Sequence, residues 1–191
     1  MYKRQPLIIG NIYYLIFNVN SLNFKFIIIL FDLIMNDVLS IIVAAIFSCI
    51  ILDTLGYLLK LIGIPEPSWG IVGRWTYYMI TSGIFYNPKI VEKPKFKYEI
   101  LLGWIFHYYI SFCWAIIYYF FFIILGINMT YFSGLIFGVI TTLGPLFIFM
   151  PFTGQGVLAK NTEKPIKTSF IFLIRHSIYG LAIYEGFRWF T

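Results

Sequence analysis

The chain has 191 residues, of which 60% are hydrophobic and only 12% are charged, and its mean hydropathy is +0.85. A soluble domain carries about 25% charged residues and about 45–50% apolar residues. The composition therefore excludes an ordinary soluble domain and predicts that lipid is the solvent. The formal net charge of +6 comes from scattered lysine and arginine residues rather than from a folded basic module, so we expect no nucleic-acid partner.

The first 35 residues are a doubtful N-terminal extension of a membrane domain that covers residues 36–191. Their apolar stretches are short and are separated by the polar sequence NVNSLN. A helix that continued from Phe24 through the first span would have about 39 residues, whereas one crossing needs roughly 20. Two interpretations stay open: the chain starts at Met35, or the upstream residues form an arm at the membrane interface.

Four long apolar segments predict an all-α integral membrane four-helix bundle. They cover residues 38–62, 100–127, 131–152 and 169–190. A hydrocarbon core about 30 Å thick needs roughly 20 apolar helical residues per span. Backbone groups in lipid must be satisfied internally, so these uninterrupted runs favour helices over barrel strands.

The charges between the spans predict the orientation. Segments 63–99 and 153–168 carry eight basic residues, whereas the NMT sequence between the second and third spans has no charge. Cytoplasmic loops collect lysine and arginine, so both basic segments are predicted to be cytoplasmic. Within the first loop, SWGIVGRWTYYMITSGIF predicts an interfacial helix whose aromatic residues, among them Trp69 and Trp75, lie at the headgroup level.

A layer of polar residues is predicted in the cytoplasmic half of the bundle. At about 1.5 Å per residue, one ionisable or helix-breaking residue of each span lies about 9–13 Å from the cytoplasmic end. The ionisable residues are Asp53, His107, Arg175 and His176, and the helix breaker is Pro145. Charges inside a membrane usually face the bundle interior and pair with one another. We therefore expect Asp53 to pair with Arg175 or with either histidine, and Pro145 to free the Thr141 carbonyl for the same network.

Three functions stay open for this layer. The leading one is a small non-enzymatic module that handles protons, ions or a small solute, with a pathway between protomers of an oligomer. The second is a structural or accessory subunit of a larger membrane complex, in which the network only fixes the helix register. The third is a redox protein with haem or a metal ion on His107 and His176. The sequence has no HxxxH or ExxH spacing, so the signal for a metal is weak and no cofactor is predicted outside the third function.

Weaker indications of a site lie in the loops. Arg74 and Gln155 are loop candidates for the site. Gly154 and Gly156 either form a flexible exit from the membrane or allow the turn around Gln155 to approach a ligand or a helix closely.

Small residues within the spans have structural interpretations. Gly134 and Gly138 have GxxxG spacing and predict a close helix contact, either within the bundle or between protomers. Cys49 and Cys113 fall in the middle of spans without a CxxC motif. Both are predicted to be buried small hydrophobes.

Several short motifs occur in a characteristic order: Asp53, VGRW at 72–75, LGWIFHY at 102–108, Pro145, GQG at 154–156 and RHSIYGL at 175–181. Together they resemble the bacterial membrane-protein family catalogued as domain-of-unknown-function family 2938, from about residue 36 to the C-terminus. The resemblance implies a polytopic protein of the bacterial inner membrane with about four spans. It implies no activity, substrate or cofactor.

Overall fold

The computed structural model describes the backbone of residues 6–64, 66–124 and 126–190, and the side chains from residue 25 onward except those of residues 30, 32, 33, 65, 123–125 and 191. The described α-helices are α1 Pro6–Leu61, α2 Trp69–Ser82, α3 Glu99–Tyr119, α4 Tyr131–Thr141, α5 Met150–Phe152 and α6 Pro165–Arg188. Short 3₁₀ turns occur at Ile90–Glu92 and Val157–Ala159, and π-helical segments at Phe120–Ile124 and Gly144–Phe149.

Four helical stretches are long and apolar enough to cross a membrane. They are Lys25–Leu61, Glu99–Phe122, Tyr131–Phe152 and Pro165–Arg188. The predicted all-α fold with four membrane-length apolar helices is thereby confirmed. The last helix begins four residues before the predicted span, because Pro165 at its first position has a backbone angle that already suits a helix.

The chain divides into two compact units, Met1–Leu39 and Ser40–Thr191. The first unit is helical from Pro6, because the sequence from Asn11 to Leu55 has no glycine or proline to end α1. Its described side chains are largely exposed, such as Phe26 at 65%. The two interpretations of residues 1–35 stay predictions. The second unit contains every candidate site residue.

Helices α1, α3, α4 and α6 share the core of the second unit. Its fully packed members are Ala44, Ala45, Leu52, Ala115, Tyr118, Phe137, Tyr179, Ile183 and Phe187. Ser111 on α3 ties three of these helices together: its hydroxyl donates to the Ala45 carbonyl over 2.8 Å and lies 3.0 Å from the Tyr179 hydroxyl. The outer faces remain apolar and exposed, as expected for a surface that contacts lipid.

Glycines set the closest helix contacts. A Cβ at Gly138 on α4 would collide with the backbone of His176 and Ser177 on α6, and one at Gly180 would collide with the Gly134 carbonyl. The predicted GxxxG contact is therefore found within the bundle. Small residues let helix backbones approach closely in membranes.

Helix α2 lies where the sequence predicts a helix in the first loop. The Ser68 side chain accepts a hydrogen bond from the Ile71 N–H, and Gly83 ends the helix in the left-handed region at φ 65°. The sequence predicts Trp75 at the headgroup level, but its side chain is buried within the protein. Trp75 is only 5% exposed and packs edge-on against Phe106 and Phe149.

Two glycines explain this burial. A Cβ at Gly73 on α2 would collide with the α3 backbone, and one at Gly103 on α3 would collide with the Trp69 carbonyl. Helix α2 therefore lies directly on α3, and Trp69 and Trp75 pack against aromatic side chains of α3, whereas Tyr77 is 43% exposed.

Candidate functional site

Asp53 on α1 and His107 on α3 form a hydrogen-bonded pair inside the second unit. The His107 Nε2 atom lies 2.9 Å from Asp53 Oδ1, and the side chains are 18% and 17% exposed, respectively. The Tyr108 hydroxyl donates to the other carboxylate oxygen over 3.1 Å. Two consecutive residues of α3 thus hold one carboxylate of α1, which fixes the register of the two helices.

A cysteine completes a cluster around this pair. The Cys49 sulfur, an Asp53 carboxylate oxygen and a His107 ring nitrogen all lie within 4.8 Å of one another. Cys49 is fully buried, and it precedes Asp53 by four residues on the same face of α1. Thiolate, carboxylate and imidazole are the protein ligands of Zn²⁺ and related divalent metals.

Two tryptophans enclose the imidazole of His107. The ring centroids of Trp69 and Trp104 lie 4.6 and 5.9 Å from that of His107, and 4.4 Å from each other. The Trp69 indole nitrogen is buried and has no hydrogen-bond partner among the described residues. The ring of His107 is therefore held in place by two indole rings.

Arg175 does not join this pair. It is 6% exposed and makes no hydrogen bond or ion pair within the described part of the chain. The carboxylates that act on its charge are those of Asp53 and Glu66. Asp53 is bonded to His107, and Glu66 lies 3.6 Å from Lys60. Among the predicted partners of Asp53, the structure therefore pairs it with His107 and not with Arg175.

The guanidinium of Arg175 packs against Gly56 of α1. A Cβ at Gly56 would lie 2.7 Å from the Nη2 atom and 3.2 Å from Cζ. Gly56 follows Asp53 by three residues, so one face of α1 carries both the Asp53–His107 pair and this contact. Any side chain at residue 56 would force the guanidinium to move from its present position.

Arg175 lines a cavity of about 480 Å³. The cavity lies at the end of the bundle that carries residues 63–98 and 153–164, which we call the loop end. Its polar lining consists of Glu66, Ser68, Thr153, Gln155, Thr162, Glu163, Lys164, Lys167, Thr168 and Arg175. Its apolar lining includes Ile71, Phe149, Met150, Ile171 and Phe172.

Gln155 lines the same cavity within a turn of two glycines. Its side-chain nitrogen donates to the Thr153 hydroxyl over 3.1 Å. Gly154 and Gly156 have φ angles of 87° and 77°, in the region that favours glycine. A Cβ at Gly154 would also collide with the carbonyl of Pro88. The close approach predicted for this turn is therefore made to the first loop.

Arg74, the other loop candidate, makes structural contacts with α3 and the first loop. It is 4% exposed and its Nε atom lies 2.7 Å from the carboxylate of Glu99. Its Nη1 atom donates to three backbone carbonyls, those of Ile90, Val91 and Lys93. Arg74 thus fastens the extended part of the first loop to α2 and α3.

His176 has its own contacts on α6. Its Nδ1 atom is 3.0 Å from the Phe172 carbonyl one turn earlier on α6, and its ring neighbours are Phe172 and Tyr179. No hydrogen bond or ring contact joins the two imidazoles among the described residues. The two predicted haem or metal ligands thus have separate side-chain contacts in the described residues, and a cofactor shared between them stays a prediction.

Pro145 lies in the π-helical segment Gly144–Phe149. The hydroxyls of Thr141 and Thr142 both donate to the Gly138 carbonyl, over 2.7 and 3.3 Å. Within the described residues the Thr141 carbonyl makes no hydrogen bond to the Asp53–His107 pair. The proline changes the local winding of the helix and adds nothing to the polar cluster.

Sequence reasoning missed Cys49, Tyr108, Trp69 and Gly56. One signal was available for Cys49, which stands four residues before Asp53 and so shares its helix face. Tyr108 follows His107 directly, but adjacent helix residues usually face different directions. The contacts of Trp69 and Gly56 depend on tertiary packing that the sequence pattern does not contain.

An all-helical fold with four apolar helices of membrane length, and with polar side chains buried between them, defines a helical membrane protein. The chain belongs to the family described as protein of unknown function (DUF2938), whose model matches residues 41–188. The resemblance inferred from the motifs is thereby confirmed. No curated protein and no solved structure matches the chain.

Proposed function

We propose that the protein is a non-enzymatic, multi-pass module of the bacterial inner membrane that binds a small organic anion at its loop end. Arg175 holds the anionic group. The observation that carries this proposal is the buried charge of Arg175, which faces a cavity and has no hydrogen-bond partner in the described residues.

The energetics of a buried guanidinium support an anionic ligand. A guanidinium keeps its charge in proteins and offers five N–H donors in a planar fork. A buried charge without a partner is costly, since breaking a buried ion pair destabilises a protein by about 3–5 kcal/mol. A carboxylate or phosphate accepts two parallel hydrogen bonds from this fork. An oxyanion ligand therefore provides the hydrogen-bond acceptors and the negative charge that Arg175 lacks.

The size and walls of the cavity favour an organic ligand over an inorganic ion. Ligand pockets have volumes of about 300–1,000 Å³ and are mostly apolar, with a few polar groups that fix orientation. The volume of about 480 Å³ falls within this range. Phe149, Ile171 and Phe172 line it beside Arg175, and they can pack against an apolar body attached to the oxyanion.

The charges around the cavity also favour an anion. Lys164 and Lys167 at the start of α6 line it together with Arg175. Two carboxylates line it as well, those of Glu66 and Glu163, and Glu66 lies 3.6 Å from Lys60. The lysines can attract an anion from solution before it reaches the buried guanidinium.

The loop end is cytoplasmic in this proposal, because segments 63–99 and 153–168 hold eight of the fourteen basic residues. The ligand therefore comes either from the cytoplasm or from the inner leaflet, as the headgroup of an anionic lipid. Both sources present the same chemistry, an oxyanion attached to an apolar body.

Binding by the full chain in a nonionic detergent tests the proposal. Thermal unfolding is followed with phenyl phosphate, with inorganic phosphate and with short-chain phosphatidylglycerol. A ligand that binds only the folded state raises its stability with concentration. We expect stabilisation by phenyl phosphate or by phosphatidylglycerol, and much less by inorganic phosphate. Phenyl phosphate alone indicates a soluble source, and phosphatidylglycerol alone indicates the membrane.

Two variants make the test specific. Arg175→Gln removes the charge and should abolish the stabilisation, whereas Lys89→Gln removes an exposed cation outside the cavity and should leave it unchanged. The proposal is wrong if no anion stabilises the wild-type chain, or if Arg175→Gln, folded and monodisperse, responds as the wild type does.

A further inference from the structure

A second site lies around Asp53 and His107, apart from the anion cavity. We propose that Cys49, Asp53 and His107 bind one divalent transition-metal ion of the class of Zn²⁺ or Co²⁺. The inference goes beyond the proposed function and does not depend on it, because none of these three residues lines the cavity.

The distances are compatible with a metal ion. Bonds from Zn²⁺ to cysteine sulfur are about 2.3 Å long, and bonds to histidine nitrogen or carboxylate oxygen about 2.0–2.2 Å. Two ligand atoms of a tetrahedral ion are therefore about 3.3–3.7 Å apart. The three donor atoms lie within 4.8 Å of one another. Small rotations of these side chains bring all three into bonding distance, with the 2.9 Å contact between His107 and Asp53 opening slightly.

The charges of the donor set also fit. A thiolate and a carboxylate carry two negative charges and a neutral imidazole carries none, so a divalent ion makes the cluster neutral. Neutrality matters here because an uncompensated charge is costly inside a membrane. On binding, the Cys49 thiol loses its proton to solvent as the sulfur–metal bond forms. No oxidant or reductant takes part in this step.

Neighbouring residues hold the donors in place. The Tyr108 hydroxyl donates to Asp53 Oδ2 over 3.1 Å and leaves Oδ1 facing His107. Such outer hydrogen bonds orient metal ligands and commonly change metal affinity by about 10–100-fold. Trp69 and Trp104 keep the imidazole in its place.

A separate observation points to a fourth ligand. The indole ring of Trp69 contacts that of His107, and its N–H is buried with no acceptor among the described residues. Three protein ligands leave one position of a tetrahedral ion open. A water molecule at that position keeps the cluster neutral and is the kind of acceptor that the indole N–H lacks.

The composition of the chain supplies matched controls. It has two cysteines and two histidines, one of each in this cluster and one of each outside it. Cys49→Ser and His107→Gln change the site. Cys113→Ser and His176→Gln are the same substitutions elsewhere in the membrane spans.

The experiment is a Co²⁺ titration of the full chain in nonionic detergent, purified without a polyhistidine tag. We expect one Co²⁺ per chain with the near-ultraviolet absorption of a cobalt–thiolate bond. Cys49→Ser should lose this absorption and His107→Gln should weaken binding at least about tenfold, whereas both control variants should behave as the wild type. Tyr108→Phe keeps all three donors and should weaken binding by about tenfold.

Four outcomes contradict the proposed site. The inference fails if the wild-type chain binds no Co²⁺, or if the thiolate absorption persists in Cys49→Ser. It also fails if Cys113→Ser loses the absorption as fully as Cys49→Ser. It fails as well if Asp53→Asn binds Co²⁺ as tightly as the wild type, because the carboxylate would then not be a ligand.

Discussion

Gly56 leaves the space that the guanidinium of Arg175 occupies. A methyl group at residue 56 would lie 2.7 Å from the Nη2 atom. Asp53 is on the same face of α1 three residues earlier, yet it is bonded to His107 and not to Arg175. One face of α1 thus carries two separate features, the Asp53–His107 pair and the contact with the buried guanidinium of Arg175.

Gly56→Ala should weaken anion binding without removing any charge. The new methyl group displaces the guanidinium from its present place, and we expect the affinity for phenyl phosphate to fall by about tenfold, or about 1.4 kcal/mol. Isothermal titration measures the change. Gly144→Ala is the control, because its methyl group would first meet Trp114 at 3.9 Å. An unchanged affinity in Gly56→Ala would show that ligand binding does not depend on the position of Arg175, which contradicts the proposed site.

Arg74→Gln should destabilise the fold. It leaves the Glu99 carboxylate buried without its partner and removes the donor of three loop carbonyls. Breaking a buried ion pair costs about 3–5 kcal/mol, so thermal unfolding in detergent should occur at a clearly lower temperature. The exposed pair of Lys89 and Glu92 gives the comparison, and Lys89→Gln should change little. Equal effects of the two variants would contradict the structural role of Arg74.

Gly180→Ala should disturb the contact between α4 and α6. Its Cβ would collide with the Gly134 carbonyl and with the backbone of Gly138. Overpacking of a close contact costs about 1–3 kcal/mol, and unfolding of the detergent-solubilised protein measures the loss. The Gly144→Ala variant again serves as control. If Gly180→Ala were as stable as the wild type, the two helices would not pack as closely as the structure has them.

The proposed orientation predicts where reporter fusions are active. Alkaline phosphatase is active only outside the cytoplasm. Fusions after Lys95 and after Lys160 should be inactive, whereas a fusion after Asn128, in the uncharged connection, should be active. The reverse pattern would place the cavity at the outer face and make a cytoplasmic ligand impossible.

The helices and one polar contact follow from local information in the sequence. Apolar length alone determines the four membrane-length helices, and the spacing of Gly134 and Gly138 indicates a close helix contact. Counting residues from the span ends places Asp53 and His107 at similar depths, and the structure joins them.

The depth of Arg175 along its helix does not predict its partner. Residue counts give the position along a helix axis, but they do not give the direction in which the side chain points. That direction depends on how the helices pack, which here depends on glycines far apart in the chain. Gly73 and Gly103 bring α2 onto α3 and bury Trp75, and Gly56 accepts the guanidinium of α6. No short sequence pattern contains these relationships.

A crystal structure of the full chain grown with 4-bromophenyl phosphate tests the central claim most directly. The anomalous signal of bromine locates the ligand independently of its fit to the density. We expect phosphate oxygens at hydrogen-bond distance from the Arg175 guanidinium and the bromophenyl ring among the side chains around Phe149 and Phe172. A ligand bound elsewhere, or an Arg175 guanidinium paired with a carboxylate of the protein, would contradict the proposed anion site.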